Sequence, residues 1–135
     1  METMALFAYI QTRIAYSFRI GGRMKLSTRK SGSVVIIDVD GKIALGEGNE
    51  EIKKFVDELV ERGNRKILLN LAKVAYMDSA GLGEIIRCFT ALRRNSGDFK
   101  LLSPNHRIMD LLTITKLLNV FDYFDDEASA IASFS

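Results

Sequence analysis

The 135-residue sequence contains no tryptophan, one proline, one histidine and one cysteine. A lone Cys88 excludes an intramolecular disulfide, and Cys88 with His106 is too small a set of soft ligands for a metal cluster. No metal or cofactor is therefore expected, and a reducing, cytoplasmic setting is the natural reading. Long apolar runs are also missing. In the first 23 residues the longest uncharged run is residues 3–12, against the roughly 20 apolar residues that cross a bilayer. The charge-first order of a secretory signal is absent, so neither membrane insertion nor export is expected.

Catalytic and nucleotide-binding patterns are incomplete as well. A serine nucleophile needs a base, and His106 is the sole histidine; the Gly-x-Ser-x-Gly elbow fails around Ser79, because Met77 stands where its first glycine belongs. A Gly-x-Gly-x-x-Gly fingerprint fails twice, with Ile86 closing Gly81-Leu82-Gly83 and Glu51 closing Gly46-Glu47-Gly48, and no Gly-Lys-Ser/Thr occurs. An enzyme is not expected. The net charge of +2 is unevenly spread: residues 1–30 hold six basic residues and one acid, residues 31–135 thirteen basic and sixteen acidic. A body of net negative sign is not a nucleic-acid surface, since affinity for phosphate backbones comes from clustered Lys and Arg.

What is present is a single domain's worth of ordinary globular sequence, 47% hydrophobic and 27% charged. Ser33-Val34-Val35-Ile36-Ile37-Asp38-Val39 is β-branched and strand-like, with Asp40-Gly41 a turn or bulge signal before Lys42-Ile43-Ala44. Ile52, Phe55, Val56, Leu59 and Val60 make one helical face, with Asn49 as the expected cap and Gly63 just past the end. Lys66-Ile67-Leu68-Leu69-Asn70-Leu71 reads as a buried strand, and Leu82, Ile85, Ile86, Phe89 and Leu92 as the face of a second helix. Phe99-Lys100-Leu101-Leu102 is another strand. Ser103 is the expected cap of a third helix, with Pro104 at its first position. Val120-Phe121-Asp122-Tyr123-Phe124 is strand-like and leads through Asp125-Asp126-Glu127 into a short terminal helix.

The chemistry concentrates where the buried strand meets the second helix, at Tyr76-Met77-Asp78-Ser79-Ala80-Gly81-Leu82-Gly83. Ser79 is the expected N-cap, on the positive end of the helix. Two glycines spaced by one residue allow a close approach, and the free amides of a first turn favour an anion there. A serine so placed can carry a phosphate; it can equally do no more than cap its helix.

Asp-Ser-Ala-Gly-Leu-Gly following a Leu-x-Asn-Leu strand resembles the signature of STAS domains, most closely that of bacterial anti-sigma factor antagonists, and the resemblance runs from about Met24 to the C-terminus. It implies an α/β STAS fold: a mixed, largely parallel sheet of four to six strands with about four helices, mostly on one face. Residues 24–135 are then the domain and residues 1–23 an N-terminal extension. It also implies that Ser79 is the phosphoacceptor of a partner serine kinase. Two departures stand out: Ala80, where many members carry a second hydroxyl, and the glycine-rich, acidic Leu45-Gly46-Glu47-Gly48-Asn49 before the first helix. The implied partner surface comprises Gly46, Glu47, Gly48, Asn49, Asp78, Ala80, Gly81, Leu82 and Gly83, with Glu84 and Arg87 on the outward side of the motif helix. By this resemblance the unphosphorylated form captures an anti-sigma factor, often itself the kinase, and frees a sigma factor. Phosphorylation reverses the capture and a phosphatase restores it. The alternative within the same fold is a STAS subunit of a membrane lipid-transport complex, docked on an ATPase.

Overall fold

A computed structural model describes the backbone of residues 17–21 and residues 24–134 in full. Six strands form one sheet in sequential order: β1 (Ser17–Gly21), β2 (Met24–Ser31), β3 (Val34–Ile43), β4 (Lys66–Met77), β5 (Asp98–Leu102) and β6 (Tyr123–Phe124). The first two pairings are antiparallel and the remaining three parallel, which is the mixed, largely parallel sheet expected. Four helices, α1 (Glu50–Glu61), α2 (Ser79–Arg94), α3 (His106–Ile114) and α4 (Glu127–Ala132), complete the described elements.

Three of the helices share one face of the sheet. Ile52, Phe55, Val56 and Leu59 of α1, Leu82, Ile85, Cys88 and Leu92 of α2, and Ile108 and Leu112 of α3 close one cluster with Val35, Ile37, Val39, Ile67, Leu69 and Leu71 of the strands. Each of the fully buried aliphatic side chains contributes about 1.5–3 kcal/mol. The α4 helix takes the opposite face, over the alternate strand positions Val34, Ile36, Leu68 and Leu102. It is held there by polar contacts at both ends. Arg29 bridges Asp38 and Glu127, each at 2.7 Å, and Lys100 Nζ donates to the Ser133 carbonyl at 3.0 Å while lying 4.7 Å from the centre of the Phe134 ring.

Several expectations shift by a few residues, each for a local reason. The β4 strand runs on past Leu71 to Met77, with Val74 and Met77 still buried. It stays paired by slipping register twice against β3, once between Asp38 and Asp40 and once between Gly41 and Lys42, which bears out the irregularity signalled by Asp40-Gly41. Asn70 braces the first slip: its Nδ2 donates to Asp38 Oδ1 at 2.8 Å and its Oδ1 accepts from the Ala72 N–H at 3.1 Å. Ser103 does not cap α3. It sits at a φ of 54°, outside the helical region that a following proline disfavours, and Asn105 caps instead, accepting from the Ile108 N–H at 2.9 Å. Only Tyr123 and Phe124 of the expected last strand pair with β5. Gly63 ends α1 as expected, at a φ of 94°.

The boundary at Met24 cuts the sheet between its first two strands, since β1 lies in the N-terminal extension; residues 1–16, 22 and 23 lie outside the described residues. The β1 strand is a five-residue strand at the edge of the sheet, paired with β2, and every helix among the described residues finds apolar partners from Met24 onward. Residues 24–135 are therefore expected to fold alone. Deleting residues 1–23 should lower the melting temperature by less than about 10 °C, the shift that about 2 kcal/mol produces in a domain of this size. A larger drop in a thermal melt would make the extension part of the packed structure.

Candidate functional site

Because β3 and β4 are parallel, with Ile43 opposite Met77, the chain leaves both strands at the same end of the sheet. The loop of residues 44–49 and the start of α2 therefore lie side by side, as the sequence implied. Asp78 joins them. Its Oδ1 accepts from the Gly81 N–H at 2.8 Å, its Oδ2 from the Leu45 N–H at 3.0 Å, and its own N–H donates to the Ile43 carbonyl at 3.3 Å.

The helix cap is thus Asp78, in extended backbone, and not Ser79. Ser79 is the first helical residue and is exposed. Both residues are suitable caps by chemistry; the link from Asp78 to Ile43 decides between them, because it holds Asp78 in the strand conformation that a cap requires. The correction frees the Ser79 hydroxyl from the capping role, on the positive end of a 16-residue helix.

Gly81 explains how the two elements come so close. A β-carbon built on it would stand 1.9 Å from the Ile43 carbonyl oxygen, so the first turn of α2 packs directly on the end of β3. Gly83 meets nothing within 4 Å, so the close approach expected of both glycines belongs to Gly81 alone. Gly46 and Gly48 adopt φ of 82° and 87°, which lets the loop turn tightly, and the Glu47 N–H donates to the Ala44 carbonyl at 3.1 Å. Asn49 is buried and makes no side-chain cap to α1, contrary to expectation, because its backbone is helical already. Its amide donates to the Ala80 carbonyl at 3.3 Å or, rotated, to the Ala44 carbonyl at 3.1 Å.

Glu84 requires the other correction. It is 2% exposed rather than outward, ion-paired to Arg87, and its Oε1 has no partner among the described residues. Arg87 is exposed as expected. The buried positions of α2 form one broad band, in which Gly81, Glu84 and Cys88, at spacings of three and four, border Leu82, Ile85 and Leu92. That strip of small residues around a carboxylate was the available signal. Burial pushes the Cys88 thiol up to about 12, so it is inert at neutral pH. His106 is 91% exposed and faces Asp110 of its own helix at 3.4 Å.

Burial works to raise the Asp78 carboxyl, but the amides of Gly81, Leu45 and Ala80 outweigh it and hold the group below its ordinary value of 3.8. A depressed folded-state value means stability that is complete above the unfolded value and lost as pH falls through the folded one. Below about pH 4 the Asp78 clasp should therefore loosen. Asp78→Asn retains a cap but presents its amide group to the Leu45 N–H, and should cost about 1 kcal/mol at pH 7. Urea denaturation at pH 7 and pH 3 checks both statements: the gap between wild type and variant should shrink at the lower pH, and a constant gap would remove Asp78 from the acid response.

Residues 25–130 match the family model of the STAS domain. The chain belongs to the STAS domain family. It is 35% identical over 98 residues to a Thermotoga neapolitana protein named as a candidate anti-sigma factor antagonist, covering 72% of this chain and 87% of that one. The crystal structure of a candidate anti-sigma factor antagonist from Thermotoga maritima superposes with a TM-score of 0.74 at 28% identity, over 81% of this chain and 93% of the other. The anti-sigma factor antagonist SpoIIAA of Bacillus shares the fold in its unphosphorylated and phosphorylated forms. Both have a TM-score of 0.60, at 21% and 20% identity, over 86% of this chain and 96% or 97% of the other. Among the described residues of this STAS domain, no helix is long and apolar enough to cross a membrane and no cluster of three or more His, Cys, Asp or Glu is placed to hold a metal.

Proposed function

We propose that this STAS domain is an anti-sigma factor antagonist in the cytoplasm, acting by binding and switched at Ser79. The observation that carries the reading is the exposed Ser79 beside the Asp78 clasp, on the rim where two parallel strands deliver a loop and a helix start. Its relatives named as candidate antagonists extend over most of the chain, and the related fold of SpoIIAA exists in a phosphorylated form.

In the unphosphorylated state the rim around Ser79, including Glu47, Asp78, Ala80 and Arg87, docks on an anti-sigma factor and so releases a sigma factor. The anti-sigma factor is a serine kinase that transfers the γ-phosphate of its own ATP to the Ser79 hydroxyl, which closes the cycle; a phosphatase reopens it. The antagonist supplies no catalytic group. Its buried Glu84 holds Arg87 at the rim rather than meeting the partner itself.

The test is to incubate the full chain with the kinase and ATP, map the modified residue by mass spectrometry, and compare the affinities of the two forms. Phosphate on Ser79 alone, with binding lost, supports the reading. Modification elsewhere, or equal affinity in both forms, would overturn it and favour a scaffold docked on a transporter ATPase.

A further inference from the structure

We infer that Leu45 is the apolar anchor by which the anti-sigma factor grips this chain, held in place by the same Asp78 carboxylate that caps the phosphoacceptor helix; this rests on the reading of Ser79 given above. Leu45 is 77% exposed although Ile43 and Ala44 before it are buried, and a large aliphatic side chain is left in water there. The loop does not tuck it away because its backbone is fixed on both sides. Asp78 Oδ2 takes the Leu45 N–H at 3.0 Å, and Gly46 turns the chain at a φ of 82°.

The occupant follows from distance. Asp78 bonds Leu45 and adjoins Ser79 in the chain, so residues 45 and 79 lie on the order of 10 Å apart. An interface of ordinary size covers about 800 Å² per partner, a disc roughly 16 Å in radius. A protein that seats the Ser79 hydroxyl near the centre of such a contact therefore also covers Leu45. Exposed side chains that become fully desolvated within such a contact carry most of its energy, and the chemistry required of the partner is an apolar socket beside its phosphoryl-transfer site. Phosphate on Ser79 then acts next to the anchor and not at a distance from it.

The experiment titrates the full-length chain with the kinase that modifies Ser79, by calorimetry, for wild type, Leu45→Ala, Leu45→Met and Ser79→Asp. Leu45→Ala should weaken binding at least tenfold and lower kcat/KM for phosphorylation in parallel, Leu45→Met should stay within threefold of wild type, and both should melt within about 2 °C of it because the side chain is exposed. Leu45→Ala binding within twofold of wild type while Ser79→Asp loses binding would overturn the anchor and leave the functional reading intact. A wild-type chain that does not bind the kinase would remove both. A homodimer of the free chain that Leu45→Ala dissociates would assign Leu45 to a second copy and also overturn the inference.

Discussion

Replacing Gly81 by alanine should lower the melting temperature by 10 °C or more, while the same replacement at Gly83 should raise it by a few degrees. The added β-carbon at position 81 would lie 1.9 Å from the Ile43 carbonyl oxygen, 2.7 Å from its carbon and 2.9 Å from Ile43 Cγ2. None of these atoms is the tip of a flexible side chain. Ile43 is fully buried, paired with Met77 across β3 and β4, and its carbonyl already accepts from the Asp78 N–H. Either α2 retreats or β3 distorts. Overpacking against backbone of this kind costs about 3 kcal/mol, which in a domain of this length is a shift on the order of 15 °C. At Gly83 no atom stands within 4 Å, so alanine gains up to about 1 kcal/mol of helix propensity without a clash. Thermal melts of the two variants make the comparison directly, and similar behaviour of both would refute the direct packing of the α2 first turn on β3. Because the close approach also sets the start of α2 against the loop that carries Leu45, Gly81→Ala should weaken partner binding below its own melting temperature as well.

Ser79→Ala should abolish phosphorylation and keep wild-type affinity for the anti-sigma factor, whereas phosphorylated Ser79 should bind more than a hundredfold more weakly, with Ser79→Asp weakened in the same direction. The phosphate adds about 1.5–2 negative charges immediately after Asp78, whose carboxylate is already committed to two amides. In the free chain water and the positive end of α2 accommodate that charge, since Ser79 is exposed. In the complex the partner would have to desolvate it. A hundredfold change requires only about 3 kcal/mol, less than the cost of burying an unpaired dianion. Aspartate carries a single charge and so gives a smaller loss. Far-ultraviolet circular dichroism should be native in every form, because the serine side chain is not the cap. Isothermal titration of the three forms provides the measurement; loss of binding in Ser79→Ala would show that the hydroxyl is itself a contact and that the phosphate acts by removing it.

Much of this architecture was legible in the amino-acid order because its determinants are local. The periodic face Ile52, Phe55, Val56 and Leu59, the continuous apolar stretch from Ile67 to Leu71 and the glycine past α1 all depend on neighbours within a few residues, and each appears where the pattern put it. The Asp-Ser-Ala-Gly-Leu-Gly motif located the strand-to-helix junction at Asp78 for the same reason. What the sequence left open were choices between chemically equivalent neighbours, and these were decided by groups far away in the chain. Asp78 and Ser79 are both able to cap α2; the carbonyl of Ile43, 35 positions upstream of Asp78, selects Asp78. Ser103 and Asn105 are both able to cap α3; Asn105 is held in place by donating its amide to the carbonyl of Val74 at 3.1 Å. Glu84 reads as solvent-facing on an isolated helix and is buried in the folded chain, and Leu45 reads as one more apolar loop residue until the fold leaves it exposed with its N–H bound to Asp78. Periodicity records which face of an element is apolar, but a backbone amide or carbonyl looks the same at every position in a sequence. Only the folded chain shows which of them stand within 3 Å of a given side chain.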